Sequence, residues 1–138
     1  MDWKLEVITV PVADVDRALE FYSGKLGFRQ ESDYRAGEEF RVVQVTPPGS
    51  ACSVVFGRGL PTAEPGSLKG SQFSVADVEQ AAAELDAAGV EYSGPVHFVE
   101  GVMTPGPDPD RQDYASFLFF DDPDGNTWAV QEVRTPAR

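Results

Sequence analysis

The chain has 138 residues, 41% of them hydrophobic and 25% charged, with a formal net charge of −12. That length buries a normal core, as one domain or as two small modules packed together, and the acidic balance argues against nucleic acid or an anionic membrane as partner, because both reward basic patches. No run approaches a membrane span, the start Met1-Asp2-Trp3-Lys4 lacks the form of a secretory signal, and Cys52 is the only cysteine, so a cytoplasmic protein without intrachain disulfide or cysteine zinc cluster is expected.

In chain order, residues 5–12 alternate as a strand does, and Pro11 and Asp14 close them. Asp14 stands where an N-cap belongs for a helix expected over 15–26, in which Val15, Leu19, Tyr22 and Leu26 recur at helical spacing before Gly27. Strands are expected over 28–34, 40–45 and 52–56, separated by polar turns at 35–39 and 47–50. Residues 1–57 thus read as a βαβββ module, and the Gly- and Pro-rich residues 58–69 as its linker to a second module over 70–134. That module opens with a strand at 71–75, followed by a helix over 78–88 capped by Asp77 and ending at Gly89. Short strands are expected near 90–92 and 96–100. The Pro-rich residues 101–113 read as a long loop, either a lid or a disordered insertion. A strand over 114–120, a tight turn at 121–126 and a last strand at 128–133 close the chain.

The two halves repeat one another. Val12-Ala13-Asp14-Val15-Asp16-Arg17-Ala18 returns as Val75-Ala76-Asp77-Val78-Glu79-Gln80-Ala81, each copy leading from a strand through a capping Asp into an amphipathic helix that stops at a glycine. Duplication of one unit explains this better than two unrelated helices sharing common residues.

Val12-x-Asp14 opening a helix that carries Phe21-Tyr22 and ends in Leu26-Gly27-Phe28, with the later Phe120-x-Asp122-Pro123-Asp124-Gly125-Asn126 turn, resembles the vicinal oxygen chelate superfamily. That group contains glyoxalase I, extradiol dioxygenases, fosfomycin-modifying enzymes and bleomycin resistance proteins, and the resemblance runs over residues 5–133. It implies an α+β fold of two tandem βαβββ modules whose curved mixed sheets enclose a cavity, in a single domain that commonly forms a homodimer. In the catalytic members a divalent metal in that cavity chelates two neighbouring substrate oxygens. The positions that would carry its ligands are here Val7, Gly70 and Ala129, with a fourth near residues 52–54. An aliphatic side chain, a glycine and an alanine supply no imidazole or carboxylate, so no metal centre of the usual kind and no cofactor are expected.

If Val7 and Ala129 point inward, a strand period of two turns Thr9 and Gln131 inward as well, and the same count from Gly70 adds Gln72 and Ser74. These neutral hydrogen-bonding groups are the candidate ligand-binding residues, although Gln72 and Gln131 could equally satisfy each other or the backbone. His97, the only histidine, is the candidate catalytic residue by its titration range, with a structural histidine in an apolar strand as the alternative. The aromatic series Phe117, Phe119, Phe120, Tyr114 and Trp128 reads as core and module interface. Asp122, Asp124 and Asn126 read as a turn and not a calcium loop, because Pro123 intrudes and Val133 stands where the closing Glu belongs.

Three functional readings follow. The leading one is a metal-free protein that sequesters a small organic molecule in the manner of the bleomycin resistance proteins, its acidic surface attracting cationic compounds. The second is a glyoxalase-like or other enzyme of the superfamily using His97 with Glu100 or Asp113 as acid and base on a small carbonyl or epoxide. The third is a displaced metal set of His97, Glu100 and Asp113.

Overall fold

Alternating apolar strands and two helices with one apolar stripe each assemble, in a computed structural model that describes residues 1–135, into an α+β architecture with one four-stranded and one five-stranded mixed sheet. Both sheets are curved and open. The chain divides into two compact units: residues Met1–Leu68 together with the turn Asp122–Asn126, and the chain from Lys69 to Asp121 and from Thr127 onward. No helix among the described residues is long and apolar enough to cross a membrane.

In the first unit, β1 (Val7–Thr9) leads into α1 (Val15–Leu19), which widens into a π-helical turn over Glu20–Lys25. Strands β2 (Arg29–Ala36), β3 (Phe40–Thr46) and β4 (Ser53–Arg58) follow, in the spatial order β1-β4-β3-β2, with β1 parallel to β4 and the other pairs antiparallel. Asp14 caps α1 by accepting from the Arg17 N–H at 3.1 Å. The helical segment lays Tyr22 on Phe56 and Phe28, ring centroids 5.7 and 6.1 Å away, over the buried Val43, Val45 and Val54.

Burying Tyr22 obliges its hydroxyl to find a partner, and it donates to Asp122 at 2.7 Å. Asp122 also accepts from the backbone of Asp124 and Asn126, while the Asn126 amide donates to the Pro11 carbonyl at 2.9 Å. Asp124 in turn accepts from Ala13 N and Arg17. Gly66 is required beside this turn, since a Cβ there would lie 2.1 Å from the Asp124 carbonyl oxygen. The remaining buried charge, Arg41, forks onto Asp33 through two bonds and reaches Asp16 through a third.

In the second unit, β5 (Ser71–Val75) and α2 (Val78–Ala88) are followed by β6 (Ser93–Val99), β7 (Val102–Pro105), β8 (Ser116–Asp121) and β9 (Thr127–Glu132), ordered β5-β9-β8-β6-β7. Asp77 caps α2 by accepting from Glu79 N and Gln80 N, and Gly89 ends it in the left-handed conformation. Val78, Ala81, Ala82 and Leu85 form the buried stripe of α2, which packs on β6, β8 and β9.

Three expected elements are corrected. The first strand is only Val7–Thr9. Residues 90–92 form no strand, and the strand expected near 96–100 is β6, which starts earlier, at Ser93, and shifts register between Ser93 and Val96. Gly94 and Pro95 lie in this bulge, where Gly94 has φ +102 and backs onto the Phe117 carbonyl. The loop expected over 101–113 begins with β7, an edge strand on β6, and Pro105 is tolerated there because an edge position needs no second ladder partner.

The Tyr22–Asp122 bond gives a stability test. Tyr22→Phe is expected to cost about 1 kcal/mol, and Asp122→Ala roughly 3 kcal/mol, because it strands several buried donors at once. Urea unfolding of both variants checks this, and equal losses would contradict the central place given to Asp122.

Candidate functional site

Glu132 fixes which way the second sheet faces. It is fully buried, and a desolvated carboxylate persists only when its lone pairs are filled. Its Oε2 accepts from the Val78 N–H at 2.9 Å, so the side chain lies under the start of α2. Arg111 donates to both oxygens, at 3.0 and 2.5 Å, and Arg134 donates to Oε1 at 3.2 Å. Hydrogen bonding from Arg111, above all, holds this carboxyl below the usual carboxylate range.

Alternation then sets the rest of the face. With Glu132, Val130 and Trp128 on the α2 side, Gln131 and Ala129 point to the opposite, open side. Register extends the assignment: Gln131 faces Ser74 on β5 and Phe117 on β8, and Ala129 faces Gln72 and Phe119. On β6, Val96 faces Phe117, and Phe98 on the same side meets the Phe117 ring at 5.7 Å edge-on. Met103 faces Phe98 from β7. The open face thus joins the amide and hydroxyl groups of Gln72, Ser74 and Gln131, on β5 and β9, to an aromatic and thioether surface on β8, β6 and β7. Phe117 and Phe119 are half-buried and their rings lie parallel, whereas Phe98 and Met103 are exposed.

His97 does not join this group. Its register partners are Ser116 and Thr104, which put it on the α2 side of the sheet, and its Nδ1 lies 2.7 Å from the Gly106 carbonyl oxygen. A carbonyl accepts, so this nitrogen carries the proton. The imidazole thereby pins the start of the segment after β7. That segment is tied at several further points: Asp108 N donates to the buried Ser116 hydroxyl, Arg111 holds Glu132 and also Glu79 at 2.7 Å, and Tyr114 N donates to the Glu132 carbonyl. Arg111 and Tyr114 both adopt positive φ, 50° and 70°, a conformation that side chains accept where surrounding bonds enforce it. The Gln131 side chain joins these ties, its Nε2 donating to the Tyr114 carbonyl at 3.0 Å.

Thr9 belongs to the first unit. It faces Val55 on β4, and Val55 faces Gln44 on β3, on the side of that sheet away from Tyr22 and Phe56. The Thr46 and Ser53 hydroxyls on this side bond each other at 2.8 Å.

The residues at the metal positions do not fit a metal. Val7 is on β1 and Ala129 on β9, and Gly70 precedes β5 with φ +80, so none brings a donor atom. Among the described residues no three or more His, Cys, Asp and Glu side chains are grouped to hold an ion. The set His97, Glu100 and Asp113 is not brought together: Asp113 is taken by Arg134 N and by the backbone and hydroxyl of Thr135. Burial raises the Cys52 thiol, which suits a structural side chain.

Sequence reasoning did not assign the aromatic half of the open face to a site, having read Phe117 and Phe119 as core and module interface. The signal was their shared parity, which acquires a direction only once β8 is paired with β9. Arg111 and Glu132 carried no local signal.

A family profile described as the Glyoxalase/Bleomycin resistance protein/Dioxygenase superfamily matches residues 4–130. The fold is similar to that of TnmS3, described as an antibiotic binding protein from Streptomyces sp. CB03234, with a TM-score of 0.75 and 30% identity over 96% of this chain and 97% of that one. It is also similar to a glyoxalase/bleomycin resistance protein from the same Streptomyces, with a TM-score of 0.72 and 31% identity over 94% and 100% of the two chains. The uncharacterized protein YetH of Bacillus subtilis (strain 168) is 25% identical over 94% of this chain and 98% of its own length.

The Glu132 node predicts a pH dependence. A carboxyl whose folded pKa is depressed below the ordinary 4.5 contributes stability that is complete above that value and is lost as pH falls through the folded one. Wild type is expected to lose more stability than Glu132→Gln on acidification below about pH 5. Denaturant midpoints of both across that range check it, and parallel curves would refute it.

Proposed function

We propose, from the premise that this chain belongs to the glyoxalase/bleomycin resistance protein/dioxygenase superfamily, that it binds and sequesters a small organic molecule on the open face of the second unit's sheet. The observation that carries this reading is the convergence of Gln72, Ser74 and Gln131 on one side of that sheet beside Phe117 and Phe119. An apolar wall with a few oriented polar groups is the usual make-up of a small-molecule site, the wall supplying affinity and the amides supplying direction. The antibiotic binding described for TnmS3 supports the same reading. The binding chemistry uses no metal or cofactor.

His97 is assigned to holding the segment after β7 and not to proton transfer, because its protonated nitrogen is engaged by Gly106 and its side chain is on the other side of the sheet. The reading includes a homodimer working in the cytosol. Light scattering coupled to size exclusion measures the assembly, and a monomer would remove that part.

A thermal-shift screen of small organic compounds tests the function. Ligands are expected that raise the wild-type melting temperature, with Gln131→Leu and Ser74→Ala each weakening them about tenfold and His97→Ala leaving their affinity unchanged. Hits indifferent to Gln131 and Ser74, or abolished by His97→Ala with the fold intact, would overturn the assignment.

A further inference from the structure

The open face differs from the rest of the molecule in charge. The chain carries 23 acidic and 11 basic residues. Yet of the strand residues that register sets on this face only Asp121 is ionisable; Gln72, Ser74, Gln131, Phe117, Phe119 and Phe98 carry no charge. Asp121, opposite Thr127 at the far end of β8, is the one carboxylate of the strand on that side, and it is exposed. A cation bound at the centre would give up its water with no carboxylate to replace it, at a cost that quadrupole attraction from the rings offsets only in part. An anion would meet the field of a strongly acidic chain.

The shape of the face is equally selective. Phe117 and Phe119 present parallel rings, with centroids 6.3 Å apart and planes inclined by 2°, and Phe98 meets Phe117 edge-on beside the flexible Met103. Rings in these two orientations favour an aromatic ligand, which they can meet by offset stacking and edge-on, and methionine adapts to its outline.

The polar side has a direction as well. The Tyr114 carbonyl can only accept, so the Gln131 amide must turn Nε2 toward it, and Oε1 becomes the acceptor that Gln131 offers to the face. A ligand edge beside it has to bring a donor. The Ser74 hydroxyl, opposite Gln131, can give or accept.

We propose that the ligand of this face is an uncharged, planar, polycyclic aromatic compound carrying a hydroxyl or N–H donor on one edge, seated on Phe117, Phe119 and Phe98 with that donor on Gln131. The proposal rests on the small-molecule reading above and narrows it. It also replaces the expectation from net charge alone, since a charge of −12 describes the whole chain and not this face.

Three tricyclic probes of nearly equal size separate the contributions: acridone, neutral with an N–H donor; 10-methylacridone, neutral without one; and 10-methylacridinium, a cation without one. Fluorescence titration of the full chain at low and high salt is expected to rank acridone about tenfold above 10-methylacridone, with 10-methylacridinium weakest and the acridone affinity insensitive to salt. Gln131→Leu is expected to bring acridone down to 10-methylacridone and leave the latter unchanged. Phe98→Ser, at an exposed position that the fold does not need, is expected to weaken both neutral probes. Tighter, salt-sensitive binding of 10-methylacridinium would overturn the proposal, as would failure of all three to bind or equal binding of all three to wild type and Phe98→Ser. Compounds from the thermal-shift screen that still depend on Gln131 would then keep the broader reading and end only this one.

Discussion

The second unit is organised by one desolvated carboxylate. Glu132 is inaccessible to solvent, and no charge stays ionised there without donors to replace its water. The donors come from separate parts of the chain: the first N–H of α2, the guanidinium of Arg111, and Arg134 just beyond β9. Meeting that single requirement sets the helix on one side of the sheet, folds the segment after β7 back onto β9, and leaves the preceding residue of β9, Gln131, on the other side. The geometry of the proposed binding face is thus a consequence of where a charge had to be buried.

The first unit solves similar problems with different residues. Arg41 is buried and forked onto Asp33 with a third bond to Asp16, and the Tyr22 hydroxyl is satisfied by Asp122 in a turn drawn from far along the chain. In both units polar groups inside the structure are paired at specific geometry, which costs more when broken than it contributes when formed. Such pairs select one arrangement over its near alternatives, whereas the valines and phenylalanines around them supply most of the burial.

For function, the two sides of the second sheet divide the labour. The α2 side holds the ion pairs, His97 and the buried aromatics Phe120 and Trp128; the open side holds amides, hydroxyls, phenylalanines and a methionine. Fold-level kinship with metal enzymes does not extend to the donor atoms, since Val7, Gly70 and Ala129 stand at the positions concerned. The open side carries an aromatic and thioether surface and a few hydrogen-bonding groups, of which the Gln131 amide is oriented by the Tyr114 carbonyl.

The sequence by itself determined the elements whose rules are local. Asp14 and Asp77 cap helices, Gly89 ends one, β5 and α2 run over the residues their periodicity marks, and the repeat with the closing turn pointed to the superfamily and its α+β fold. Strand period also put Gln72 and Ser74 on a common side. The tertiary structure alone decided which side that is, that Gln131 shares it with Phe117 and Phe119, and that His97 does not. The physical reason is that alternation fixes relative parity within a strand, whereas register between strands distant in sequence fixes parity across the sheet, and the bulge between Ser93 and Val96 resets it in β6. Arg111 on Glu132, and Asp122 under Tyr22, were equally out of reach, because the need to pair a buried charge is visible in the sequence only after one knows what is buried.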